Sequence, residues 1–128
     1  MVTAELKNYR QSPRKVRLVV DAVRGKQVNA ALTTLTFMPK KASKAVKKLV
    51  ESAIANASHN FNLNPETLFV KEITVDQGPI LKRWRARARG RAASIHKHTS
   101  HIKVVLAEQE KIEIKEDVKK EDVKEDNK

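Results

Sequence analysis

Five arginines stand at every second position from Arg83 to Arg91, and this alternation limits the local backbone more than any other feature of the chain. In an extended strand the spacing sends all five side chains to one side. In a helix it would set like charges at i,i+4, as in Arg83/Arg87 and Arg87/Arg91, where they repel. With Lys82 the run holds six cations, and no acid occurs between Asp76 and Glu108. A guanidinium is planar, permanently charged and forked, which suits phosphate oxygens and the faces of bases. Cations crowded without counter-charges repel one another, so the segment takes its neutralisation from a polyanionic partner. The run predicts an extended, arginine-studded finger made for nucleic acid.

The flanks give that finger a shape. Phe69, Ile73 and Val75 alternate with Glu72, Thr74 and Asp76, and the alternation returns at Ile102, Val104 and Leu106. Two such segments predict antiparallel partners. Setting Val75 opposite Val104 puts the turn between Arg89 and Gly90, where glycine supplies the backbone freedom a turn needs. Each arm beyond the sheet is then about 12 residues, or roughly 40 Å at ~3.3 Å per residue. A hairpin over about 77–101 is too long to lie on so small a body and needs a surrounding partner. Gly78-Pro79 is expected to bend the ribbon where it leaves the sheet.

Upstream, Val2, Ala4 and Leu6 alternate with polar residues and predict a half-buried strand. Ser12-Pro13 supplies a helix start. Val16, Val19, Val20 and Val23 follow at helical spacing, and Gly25 stands where the helix should end, giving a helix over Pro13–Arg24. Arg14, Lys15 and Arg17 lie on its other face, with Arg24 further round. A short helix is expected from Asn29 to Phe37 and the longest from Lys40 to Asn60, with Ala42, Ala45, Val46, Leu49, Val50, Ala53, Ile54 and Ala57 as its apolar stripe. Lys40, Lys41, Lys44, Lys47 and Lys48 face outward from that helix. A brief turn surrounds Pro65.

Charge divides the chain. Residues 1–107 hold 21 Lys and Arg against 6 acids, a net of +15; residues 108–128 hold 6 against 9, a net of −3. Residues 1–107 are expected to form one domain. Residues 108–128 read as a charged, flexible appendage. A net charge near +15 destabilises so small a body alone and points to an RNA or DNA partner. There are no cysteines, which excludes disulfide and thiolate chemistry. No apolar run reaches membrane-spanning length and Met1–Arg10 has no signal-peptide pattern, so the chain is expected to be soluble, without a membrane partner.

Trp84, the sole tryptophan, sits between Arg83 and Arg85, where stacking on a base or packing against a partner fits better than core burial. His96, His98 and His101 lack a nearby Cys, Asp or Glu to complete a metal site, so phosphate or base contacts are the better reading. Ser58-His59 and Ser100-His101 are adjacent pairs without a neighbouring acid, and adjacency does not make a triad. With three glycines in all, no phosphate-cradling loop is present either. The expectation is a protein that is not an enzyme and carries no cofactor.

Two motifs match a known family. Gln11-Ser12-Pro13-Arg14-Lys15-Val16-Arg17-Leu18-Val19-Val20-Asp21, followed by Arg24-Gly25-Lys26, resembles the N-terminal signature of the ribosomal protein L twenty-two family. The second half is similar too, from Gly78-Pro79 and Lys82-Arg83 through Arg87-Ala88-Arg89-Gly90-Arg91-Ala92 to Lys97-His98-Thr99-Ser100-His101-Ile102. Ala86 departs from a proline frequent in the family, and His98 from an arginine. The resemblance implies an α+β body, three helices packed on a small antiparallel sheet with the long hairpin projecting, and a bacterial-type protein of the large ribosomal subunit in the cytoplasm. It would bind large-subunit rRNA, lie beside neighbouring large-subunit proteins and support assembly. Its hairpin tip, Ala88, Arg89, Gly90 and Arg91, would reach the wall of the peptide exit tunnel, near the nascent polypeptide. Its RNA contacts would come from Arg14, Lys15, Arg17, Lys82, Arg83, Trp84, Arg85, Arg87, Arg89, Arg91, Lys97, His98 and His101. From the residues alone two readings compete with this: a DNA-architectural protein with basic β-arms, and a basic adaptor for acidic proteins. Arms of the first kind carry an apolar wedge near the tip, where this chain has Arg89-Gly90.

Overall fold

Period-two segments from both ends of the chain meet in one sheet. In the computed structural model, which describes residues 1–108, β1 (Val2–Tyr9), β5 (Ser100–Glu108) and β2 (Leu68–Gln77) form an antiparallel sheet with β5 at the centre. The expected tail lies outside the described residues from residue 109 onward. Ile102, Val104 and Leu106 of β5 are wholly buried, and Val2, Leu68, Val70 and Ile73 join them on the same face. That face is covered by α1 (Pro13–Asp21), α2 (Val28–Phe37) and α3 (Lys41–Phe61). The opposite face carries Glu5, Glu72 and Lys103 into solvent. Three helices on one side of a small antiparallel sheet make the α+β body that the family resemblance implies.

Each helix follows from its apolar stripe. Val16, Val19 and Val20 of α1 are fully buried. In α3, Ala42, Ala53 and Ala57 alternate with Val46, Leu49 and Val50, and the small residues let the helix lie close to the sheet. It ends where Asn62 takes a left-handed φ of 50° and returns its N–H to the Ala57 carbonyl.

Three local expectations are corrected. α1 stops at Asp21 rather than Arg24: Val23 N–H tightens onto Val20 C=O at 3.1 Å, and Gly25, at φ +75°, donates to Val70 C=O at 2.9 Å instead of closing a helical turn. Ser12 does cap α1 and Pro13 opens it, as expected, the cap contact being made by the Ser12 carbonyl, which accepts from Lys15 and Val16, rather than by its hydroxyl. Val75 pairs with Ile102, not Val104. One residue of the shift arises at the tip, where Arg87 meets Arg91 across a loop centred on Arg89. Another arises at the exit from the sheet, where three residues, Gly78–Ile80, face two, His98–Thr99. A bulge between Val70 and Glu72 shifts the pairing once more toward the start of β2. The bulge also turns Phe69, expected on one face with Ile73 and Val75, to the other side: Leu68 and Val70 point inward, and Phe69 pairs with Ala107 on the outer face.

The outer edge of β2 is guarded. Gly25 N–H and Lys26 C=O pair with Val70, while Arg17 and Arg24 donate from their guanidinium groups to the carbonyls of Val75 (3.0 Å) and Ile73 (3.1 Å). These bonds satisfy groups that would otherwise template a foreign strand. Arg24 also pairs with Asp21 at 2.9 Å. Ile102, buried at the centre of the sheet, carries the core: Ile102→Ala should lower unfolding free energy by about 2–5 kcal/mol in urea titrations followed by circular dichroism.

Candidate nucleic-acid interface

The chain leaves the sheet as a second, two-stranded ribbon, β3 (Leu81–Ala86) and β4 (Ala92–Lys97), whose pairing runs from Leu81↔Lys97 to Ala86↔Ala92. These strands pack essentially on each other alone. Residues Ala88–Gly90 close the tip, with Arg87 N–H donating to Arg91 C=O at 2.8 Å. The loop is thus three residues centred on Arg89, where the sequence predicts a turn between Arg89 and Gly90. Both residues have positive φ, 59° and 67°. For Arg89 that conformation costs roughly 1–2 kcal/mol, since it has a Cβ. The five arginines therefore do not share one side: Arg83 and Arg85 lie on a strand face, and Arg87, Arg89 and Arg91 belong to the tip loop and its two closing positions.

A neck of buried polar groups aims the ribbon. Gly78 N–H donates to Thr99 C=O at 2.9 Å, and a Cβ on Gly78 would stand 2.5 Å from Thr99 Oγ1. That hydroxyl donates to Pro79 C=O at 2.6 Å, while Ser100 Oγ donates to Gln11 C=O at 2.5 Å. His101 Nδ1 accepts the N–H of Asn8 at 3.0 Å, which leaves the ring proton on Nε2. Tyr9 O–H donates to Gln11 Oε1 at 3.0 Å, and burial pushes the phenol's pKa up, so it remains a donor. Thr99 and Ser100 are buried, and among the described residues no buried side-chain polar atom lacks a partner.

Two grooves open beside the neck and meet at His98. The first, of about 450 Å³, is lined by Arg10, Gln11, Ser12, Lys15, Lys41, His96, Lys97 and His98; the second, of about 280 Å³, by Ser12, Pro13, Arg14, Arg17, Gln77 and His98. Helix α1 and the root of the ribbon thus bring Arg14, Lys15, Arg17, Lys97 and His98 together, a convergence that sequence spacing does not reveal. Lys82, Arg83, Trp84, Arg85, Arg87, Arg89 and Arg91 stand apart on the ribbon. His101 lies in the neck, where its ring packs over Gly78. Arg10 is absent from the predicted contacts. Its position directly before the Gln11-Ser12-Pro13 motif is the signal that points to it.

The electrostatics are one-sided. Among the described residues three ion pairs form, Lys7–Glu5, Arg24–Asp21 and Lys47–Glu51, and none touches the ribbon. No group of three or more His, Cys, Asp or Glu among those residues is placed to hold a metal ion. None of the described helices is long and apolar enough to cross a membrane.

Comparison with known proteins supplies the class first: residues 4–107 match a ribosomal protein family, Ribosomal protein L22p/L17e. Large ribosomal subunit protein uL22 of Bdellovibrio bacteriovorus is 56% identical over 107 residues, covering 84% of this chain and 97% of that one. Its namesake in Syntrophobacter fumaroxidans is 55% identical over the same length, with the same coverage. The chain belongs to the L22p/L17e family, structural proteins of the large ribosomal subunit, and the resemblance read from its two motifs holds.

The neck makes a prediction. Gly78→Ala must displace Thr99 from Pro79, and should cost about 1–3 kcal/mol in thermal or urea unfolding. Gly90→Asn, in open space and at a φ that asparagine tolerates, should cost within about 1 kcal/mol.

Proposed function

We propose that this protein binds large-subunit rRNA as a structural brace. The grooves beside α1 take phosphates through Arg14, Lys15, Arg17, Lys97 and His98, and the ribbon threads between RNA segments. Arg83, Arg85, Arg87, Arg89 and Arg91 neutralise phosphates along it, with Lys82, while Trp84 stacks and His101 holds the ribbon's root against the body. The tip residues Ala88–Arg91 reach the wall of the peptide exit tunnel, beside the nascent polypeptide, and neighbouring large-subunit proteins flank the body. By cross-bracing RNA the protein supports subunit assembly, in the cytoplasm, with neither cofactor nor membrane.

One observation carries this reading: seven cations, Lys82 to Arg91 and Lys97, stand on a ribbon that touches almost nothing of its own chain and has no acidic partner among the described residues. Such a ribbon repels itself until a polyanion surrounds it. If about six cations meet phosphates, binding to an rRNA fragment should show a log–log salt slope of roughly −4 to −5. A slope near zero in a salt titration by filter binding rules out the electrostatic contact. Stronger binding to duplex DNA in competition would favour a DNA-architectural role instead.

A further inference from the structure

The pairing in the ribbon separates its tryptophan from its strand arginines. Residues directly opposite across an antiparallel pair share a face. Arg83 faces Ile95 and Arg85 faces Ala93, with Leu81 and Lys97 completing that side. Trp84 faces Ser94 and Lys82 faces His96, with Ala86 and Ala92 nearer the tip. One face is therefore guanidinium over a thin apolar floor. The other is a lone indole among small and cationic neighbours.

We propose that the Trp84 face is a binding site for one unpaired nucleobase, while the Arg83/Arg85 face takes the phosphates of a second RNA segment. The inference rests on the rRNA-binding reading and assigns a different RNA element to each side of the ribbon. Trp84 is 70% exposed, because Ser94, Ala86 and Ala92 are too small to cover the ring. Leaving so large an apolar plane in water has no structural use in a two-stranded ribbon. A protein partner's apolar patch would meet Lys82, Ser94 and His96 around the indole, a poor match for it. A nucleotide fits both parts: its base lies on the indole, and its phosphate reaches Lys82 or His96. The base must be unpaired, since bases stacked within a duplex do not offer a free face.

Trp84 is the only tryptophan, so its emission reads this site directly. The full chain is titrated with single-stranded oligoadenylate and with a perfectly paired RNA duplex of equal length, binding being followed by anisotropy and stacking by quenching. Oligoadenylate should quench most of the emission at saturation, and the duplex much less. Trp84→Ala should weaken oligoadenylate binding about tenfold and duplex binding by less than about twofold. The double variant Arg83→Ala/Arg85→Ala should weaken both RNAs yet keep full quenching at saturating oligoadenylate. Oligoadenylate bound without quenching would overturn the proposal and leave this face to a polypeptide. So would a Trp84→Ala variant that loses both RNAs equally. Failure to bind either RNA would overturn the rRNA-binding reading itself, and this inference with it.

Discussion

Everything that projects from this molecule depends on one continuous antiparallel pairing. It begins at Leu68↔Glu108 in the body, passes the neck and runs on to Ala86↔Ala92 near the tip. The same two lengths of chain thus form two strands of the buried sheet and both strands of the exposed ribbon. An isolated two-stranded ribbon is marginal in water. This one is held at its root by the body sheet, whose central strand β5 buries Ile102, Val104 and Leu106. Where the two sheets join, three residues face two, and Gly78 lets the backbones approach because it has no Cβ to meet Thr99. The hydroxyls of Thr99 and Ser100 then tie the exit to Pro79 and Gln11. Direction is set at the neck, where the register shifts by one residue, and charge is set at the tip.

The body spends some of its basic residues on itself. Arg17 and Arg24 satisfy carbonyls along the outer edge of β2, and Gly25 and Lys26 close the same edge further along. These contacts protect an edge strand that would otherwise invite pairing. The ribbon cations have no such internal use. Their difference from Arg17 and Arg24 is one of partner, not of residue type. An arginine facing carbonyls within the chain has a structural use, which for Arg17 leaves further guanidinium donors toward the groove it lines. The ribbon arginines face solvent among like charges.

Much of this was legible in the sequence, for definite physical reasons. The valines of α1 and the alanine-rich stripe of α3 have the helical period and β5 alternates cleanly, so their existence and inward faces follow. In β2 the inward face follows only from Ile73 onward, Phe69 standing on the other side of the bulge. The pairing of β2 with β5 follows too, but not its register. The odd-numbered tip loop and an extra residue at the neck move Val75 from Val104 to Ile102 without a mark in the alternation, whereas the bulge beside Lys71 shows as the adjacent polar pair Lys71-Glu72. The tip escaped for a related reason. Arg89 takes a left-handed backbone that its residue type disfavours, which turns a two-residue turn into a three-residue loop and ends the arginine alternation. Parity alone sets Trp84 apart from Arg83 and Arg85. Its neighbours Ser94 and His96 emerge only once the cross-strand register is known. The grooves at His98 depend on how α1 meets the ribbon's root, a long-range packing that local pattern does not encode.

The central claim is that an uncompensated arginine ribbon anchors this family member in large-subunit RNA. Sedimentation through a sucrose gradient after a high-salt wash tests it most directly, with the wild-type chain beside a variant carrying alanine at Arg83, Arg85 and Arg87. The account predicts that the wild-type chain stays with the large subunit through the wash and that the variant is depleted from it. Release of the wild-type chain at moderate salt, or equal retention of the variant, would contradict it.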